Sequence, residues 1–178
     1  MATNVCESNR ALRICQVPYG HTDVATLTAQ VQDHYVRLYG GPDTTPVDAA
    51  EFSPPRGAFY VGYLAELAVA MGGWRWLGDP LDIPATRPAE IKRMFVEEAA
   101  RGRGLARRIL AHLETTAAVA GADALVLETG EAQPDAIALY RAAGYVDIPR
   151  FGHYAAEPSS VHLGKWWQPL GAHEGPDG

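Results

Sequence analysis

A chain of 178 residues that is 47% hydrophobic and 20% charged holds enough apolar material for a buried core, so one domain over 1–170 is expected, with a flexible tail at 171–178. Its formal charge of −6, from 15 Lys and Arg against 21 Asp and Glu, counts against a nucleic-acid partner and mildly favours a cationic one. No apolar run reaches the roughly 20 residues that cross a bilayer, no basic-then-apolar leader opens the chain, and Cys6 and Cys15 form no C-x-x-C pair. A cytoplasmic protein with reduced thiols and no membrane partner is the expectation.

Residues 11–17, ALRICQV, are short, apolar and partly β-branched, which predicts a strand. Thr22-Asp23 is placed to cap the next segment, where Val24, Leu27, Val31, Tyr35 and Leu38 recur at three- and four-residue spacing. That predicts an amphipathic helix closed by Gly40-Gly41. Four prolines make 42–56 a loop or broken helix. GAFYVGYL (57–64) and ELAVAMGGWRWL (66–77) read as an antiparallel hairpin about Ala65. After a Pro- and Asp-rich connection, AEIKRMFV (89–96) is a third strand and a helix is predicted over 101–120. ADALVLETG (122–130) is a continuous apolar run of the kind buried on both faces of a sheet. Pro134 opens a helix that Gly144 ends, and YVDIP and SSVHLGKWW give two last strands around RFGHYAAEP. The order β-α-β-β-β-α-β-α-β-β predicts a mixed α/β sheet with helices on its faces.

The joint between the third hairpin-region strand and its helix is unusual. Arg101-Gly102-Arg103-Gly104 places two glycines and two arginines where a helix begins, although each Gly in a helix interior costs roughly 1 kcal/mol relative to Ala. A Gly-rich turn at a helix start leaves N–H groups unpaired and aims the positive end of the helix dipole at one point, an arrangement that binds phosphate. A P-loop needs Lys-Ser or Lys-Thr after its glycines, and none follows. A dinucleotide fingerprint needs a small third residue where Arg107 stands.

Arg101-x-x-Gly104-x-Ala106 instead resembles the Gln/Arg-x-x-Gly-x-Gly/Ala turn of the GNAT superfamily of N-acetyltransferases. The turn follows a strand ending Met94-Phe95-Val96. Further on, QPDAIALYRAAGY resembles the superfamily's later motif, in which a helix carries A-x-x-L-Y-x-x-x-G followed by Phe or Tyr. The resemblance covers about Ala89 to Tyr145, and IPRFGHYAAEPSSVHLGK is similar, more loosely, to a bacterial subgroup.

The resemblance implies a largely antiparallel sheet of about seven strands, with a V-shaped splay between the fourth and fifth. It implies acetyl-CoA as donor, a primary amine of a small molecule as acceptor, direct attack within a ternary complex, and by analogy a homodimer. Met94, Phe95 and Val96 would pair with the pantetheine arm like an added strand; Phe95 and Val96 also suit a core. Arg101, Gly102, Arg103, Gly104, Leu105 and Ala106 would hold the pyrophosphate. Gln133 stands where many relatives carry an Asn that bonds the cofactor arm, and a polar residue at a helix start is its other reading. Tyr140 would protonate the departing thiolate, since a phenol near pKa 10 beside a thiol near 8.5 is still protonated at neutral pH, at about the ordinary values. Its helical neighbours also suit a core tyrosine. Glu128 is the favoured base, with Glu66, Glu90 and His153 as alternatives. The six His show no metal spacing, so no metal is expected. A non-catalytic acyl-CoA-binding module and an enzyme acting on protein N-termini or lysines are the competing functions.

Overall fold

The computed structural model describes residues 11–167, so Cys6 and the tail expected at 171–178 lie outside the described residues. The elements are β1 (Arg13–Gln16), α1 (Thr22–Tyr39), β2 (Gly57–Leu64), β3 (Leu67–Trp76), β4 (Pro88–Val96), α2 (Leu105–Val119), β5 (Ala124–Gly130), α3 (Pro134–Ala142), β6 (Val146–Asp147) and β7 (Ser160–Trp166). Seven strands form one mixed sheet in the order β1-β2-β3-β4-β5-β7-β6. The β4–β5 pair is parallel, with register Pro88↔Ala124, Ala89↔Leu125 and Glu90↔Val126, and it stops there while β4 continues to Val96. This is the splay expected between the fourth and fifth strands.

Two compact units divide the chain, the first comprising the described residues up to Arg75 with Ile91–Leu113, the second Trp76–Glu90 with the described residues from Glu114 onward. In the first unit, Val24, Leu27 and Val31 of α1 pack on Phe52, Phe59, Val61, Met71 and Phe95. Full burial of each such side chain contributes about 1.5–3 kcal/mol. Side chains alternate along β2, so Tyr60 and Gly62 face the other way. There Tyr60 meets His112 of α2 edge-on at 4.5 Å, and a Cβ on Gly62 would approach Ile109 Cδ1 to 3.2 Å. The helices α1 and α2 therefore cover opposite faces, and Gly62 is small so that α2 can sit close.

Two boundaries differ from expectation. The cap of α1 is His21, whose Nδ1 accepts the Asp23 N–H at 3.2 Å; the Asp23 carboxylate instead takes the Tyr63 hydroxyl at 2.7 Å. Burial, then that bond, pushes the Tyr63 phenol up to about 12. The second helix begins at Leu105, not 101, because Gly102 and Gly104 both hold φ +73, outside the right-handed helical region.

In the second unit, Leu125, Val126, Leu127 and Leu163 are fully buried, as the apolar run 122–130 predicted. Asp123, 6% exposed, anchors the connection that leads into β4: it accepts from Thr86 N (2.6 Å), Thr86 Oγ1 (2.7 Å) and Arg87 N (2.8 Å). Burial alone would raise this carboxyl, but the three donated bonds outweigh it and hold it below the usual range. A depressed carboxyl contributes stability above its unfolded pKa, about 3.9, and loses that contribution as pH falls through the folded value. Asp123→Asn keeps shape but loses charge-assisted acceptance, and should cost about 1–3 kcal/mol in urea denaturation at neutral pH. The deficit should shrink in acid.

Candidate active site

In the first unit, the residues 101–106 form an amide-lined turn. None of the N–H groups of residues 102–107 donates to a backbone carbonyl among the described residues. Gly102 and Gly104 hold the left-handed region, the backbone conformation from which anion-binding nests are built. A Cβ on either would meet nothing within 4 Å, so the space before the turn is open. Arg101 serves differently from the rest: its Nε donates to the Val96 carbonyl at 3.2 Å and its guanidinium lies 5.9 Å from the Phe95 ring, pinning the end of β4. Arg103 is exposed at the tip, whereas Arg108 is structural, donating to the Leu12 carbonyl at 3.0 Å.

The strand leading into that turn carries a feature that sequence reading missed. Arg93 holds φ +57 in the middle of β4. Hydrogen bonds from Leu77 N–H to the Pro88 carbonyl and from Glu97 N–H to the Val69 carbonyl bracket one more residue on β4 than on β3, as a bulge requires. Such a conformation costs about 1 kcal/mol or more for a residue with a side chain and re-aims the backbone groups next to it. No glycine marks the position, so nothing in the sequence announced it. The Arg93 guanidinium, whose side chain is 8% exposed, forms an ion pair with Asp43 at 3.0 Å. Met94 is half-buried; Phe95 and Val96 are buried, and Phe95 belongs to the core. A cavity of about 470 Å³ flanks this strand end, lined by Asp33, His34, Phe95, Glu97, Glu98 and Arg101 among others. Burial first, then Arg101 and Arg37, lowers the His34 pKa.

In the second unit, Gln133 is the residue before α3 and makes no capping bond to that helix; Pro134 fills the first turn as expected. Tyr140 is 6% exposed and packs edge-to-face on Tyr145 at 5.7 Å. Tyr145 is 2% exposed, and burial first, then the Glu114 charge, drives its pKa upward. Glu114 itself is neutralised by Lys165 at 2.9 Å.

That ion pair also orients β7. Lys165 points to α2, so Ser160, His162 and Gly164 point to the opposite face. Register partners share a face, and Glu128↔His162, Gly130↔Ser160 and Val126↔Gly164 are partners on β5 and β7, while Glu90↔Val126 joins β4. Glu90 (4% exposed), Glu128 (half-buried), His162 (4%) and Ser160 (6%) therefore form one polar row on the face away from α2. Glu90 is the last β4 residue paired before the strands part. Glu66 lies in the hairpin turn, its side chain 92% exposed and 3.5 Å from Arg13, and His153 is exposed against Tyr154. Neither joins the row. Among the described residues, no group of three His, Cys, Asp or Glu is arranged to hold a metal, and no helix is long and apolar enough to cross a membrane.

Comparisons with known proteins bear on the family. Over 76 residues the chain is 47% identical to an IAA acetyltransferase of Azospirillum brasilense, a match covering 43% of this chain and about half (50%) of the length of that curated relative. A solved structure from Klebsiella pneumoniae subsp. pneumoniae MGH 78578, named for acyl-CoA N-acyl transfer, is 25% identical with a TM-score of 0.70, covering 87% of this chain and 97% of that one. A GNAT family acetyltransferase from Elizabethkingia anophelis, solved with acetyl-CoA bound, shares the fold at 14% identity and a TM-score of 0.60, over 88% of this chain and 98% of that one. Residues 28–145 match the family model itself, and the chain belongs to the Acetyltransferase (GNAT) family.

Proposed function

We propose that this protein transfers the acetyl group of acetyl-CoA to a primary amine of a small molecule by direct attack on the thioester in a ternary complex. The observation that carries this reading is the open amide turn at 102–106, which follows closely on the end of β4 at Met94–Val96. The donor supplies an activated acetyl group, and holding donor and amine together supplies much of the acceleration. Residues 101–106 hold the pyrophosphate, Met94–Val96 offer backbone groups to the arm, and Gln133 offers its amide.

Acid and base come from opposite faces. Tyr140 packs with Tyr145 near Glu114 and Lys165, on the α2 side, and its O–H proton goes to the departing sulfur. The amine's proton goes to a carboxylate on the other face, and of the two there, buried Glu90 at the point of parting is better placed than half-exposed Glu128. The bulge at Arg93 re-aims nearby N–H groups, which suits polarisation of the thioester carbonyl.

The test is release of free thiol when acetyl-CoA and a panel of small amines are supplied. Binding of CoA with no thiol released by any amine would favour the non-catalytic module; acetylation of peptide N-termini or lysines in preference to small amines would move the acceptor to protein. The turn is tested separately. Gly104→Ala puts a Cβ into the open space and strains a left-handed position by about 1–2 kcal/mol, without a clash inside the protein. CoA affinity by calorimetry should fall about tenfold or more, because each 1.4 kcal/mol of lost contact is a factor of ten, while the protein stays folded.

A further inference from the structure

His162 sits in the polar row beside Glu128, and its surroundings fix its protonation. Nε2 lies 2.7 Å from Ser160 Oγ; Nδ1 accepts the Phe151 N–H at 3.5 Å; the Phe151 ring meets the imidazole edge-to-face at 5.2 Å. A backbone N–H only donates, so Nδ1 is bare and the ring proton sits on Nε2, donated to Ser160 Oγ; the tautomer follows from the hydrogen-bond network. Phe151 begins the segment that arches from β6 back to β7. At its far end that segment is braced internally, by Arg150 on the Glu157 and Pro158 carbonyls and by Ser159 Oγ on Glu157 at 3.0 Å. At its near end, His162 is what holds it to the sheet: the imidazole takes Phe151, and the His162 carbonyl takes the Ile148 N–H at 3.1 Å.

We infer that His162 is a positioning residue that seats Phe151 and residues 150–159 as a wall of the acceptor site, and that only its neutral form does so. The acceptor role of this wall rests on the acetyltransferase reading; the seating does not. Protonation would place an N–H on Nδ1, head to head with the Phe151 N–H, and two donors cannot bond. Glu128 is the ring's cross-strand partner on β5, Glu90 lies on the same sheet face, and the arching segment carries Arg150, His153 and Glu157. The wall is therefore released when the imidazole takes up a second proton.

Hydrogen–deuterium exchange of residues 150–159 in the full chain, corrected for intrinsic rates, reads the seating directly. Between about pH 7.5 and pH 5.5 the parent should exchange up to about tenfold faster at the lower value, the worth of one net hydrogen bond. His162→Asn keeps an acceptor oxygen near the Nδ1 position and cannot titrate, so its exchange should be slow at both values. The same acceleration in His162→Asn, or none in the parent, overturns the seating. In steady state His162→Leu should raise the KM for the amine about fivefold to tenfold by the same loss, with CoA affinity unchanged. An unchanged amine KM, or an equal loss for CoA, overturns the acceptor wall. If His162→Leu does not fold, Ser160→Ala, which frees the ring to turn, should show intermediate exchange and an intermediate KM, and parent-like values there count against the proposal. A parent that acetylates no amine removes the acetyltransferase reading, and the exchange measurement still decides the seating.

Discussion

Glu90→Gln is expected to lower kcat about 10²–10³-fold at neutral pH, the contribution of one positioned base. The exchange is nearly isosteric at a site 4% exposed, so packing is preserved and the loss reports chemistry. At neutral pH a primary amine arrives mostly protonated, and in the proposed reaction the Glu90 carboxylate, last of the β4 residues paired with β5, takes the proton. The pH–rate profile carries the sign. As pH rises toward the pKa of the amine, more acceptor is already free and the deficit of the variant should shrink. Glu128→Gln should cost less than tenfold, since that carboxylate is half-exposed and lies two residues beyond Val126 on β5. If the two variants exchange ranks, the base is Glu128; if neither moves kcat, proton removal belongs to solvent.

Tyr140→Phe should lower kcat about 10²-fold, with CoA affinity within twofold of the parent, because the hydroxyl acts only as charge builds on the leaving sulfur. The ring remains, so its edge-to-face contact with Tyr145 remains and stability should change little. Tyr145→Phe is the internal control. Its hydroxyl is buried and its proton is held tightly by burial and by Glu114, so its removal should leave kcat near the parent value. Near-parent kcat in Tyr140→Phe, or an equal loss in Tyr145→Phe, would end the assignment of the acid to Tyr140.

Some of the site can be read in one dimension because its physics is local. Gly102 and Gly104 announce left-handed backbone wherever they stand, and a helix start just beyond them leaves amides free in any tertiary context. The spacing Leu139-Tyr140 to Gly144-Tyr145 likewise fixes a helix end and puts the two tyrosines side by side. The seven strands, the apolar run that becomes β5, and the separation of β4 from β5 were all expected from periodicity and from the family resemblance.

What could not be read concerns residues whose meaning depends on a partner far away in sequence. Arg93 adopts a left-handed conformation that its own chemistry does not ask for, and it is held there while its guanidinium is buried against Asp43, 50 residues earlier. Glu90, Glu128, Ser160 and His162 are scattered over 73 positions, and only the register of β4, β5 and β7 shows that they share a face. The same register separates Lys165 from its neighbours and so decides which side of the sheet is acidic. By itself the sequence determined the amide-lined turn at 102–106, because free amides and glycine dihedrals are properties of a short segment. The tertiary structure alone decided the polar row of Glu90, Glu128, His162 and Ser160, because a sheet brings strands together by pairing, and pairing register is written in no single strand.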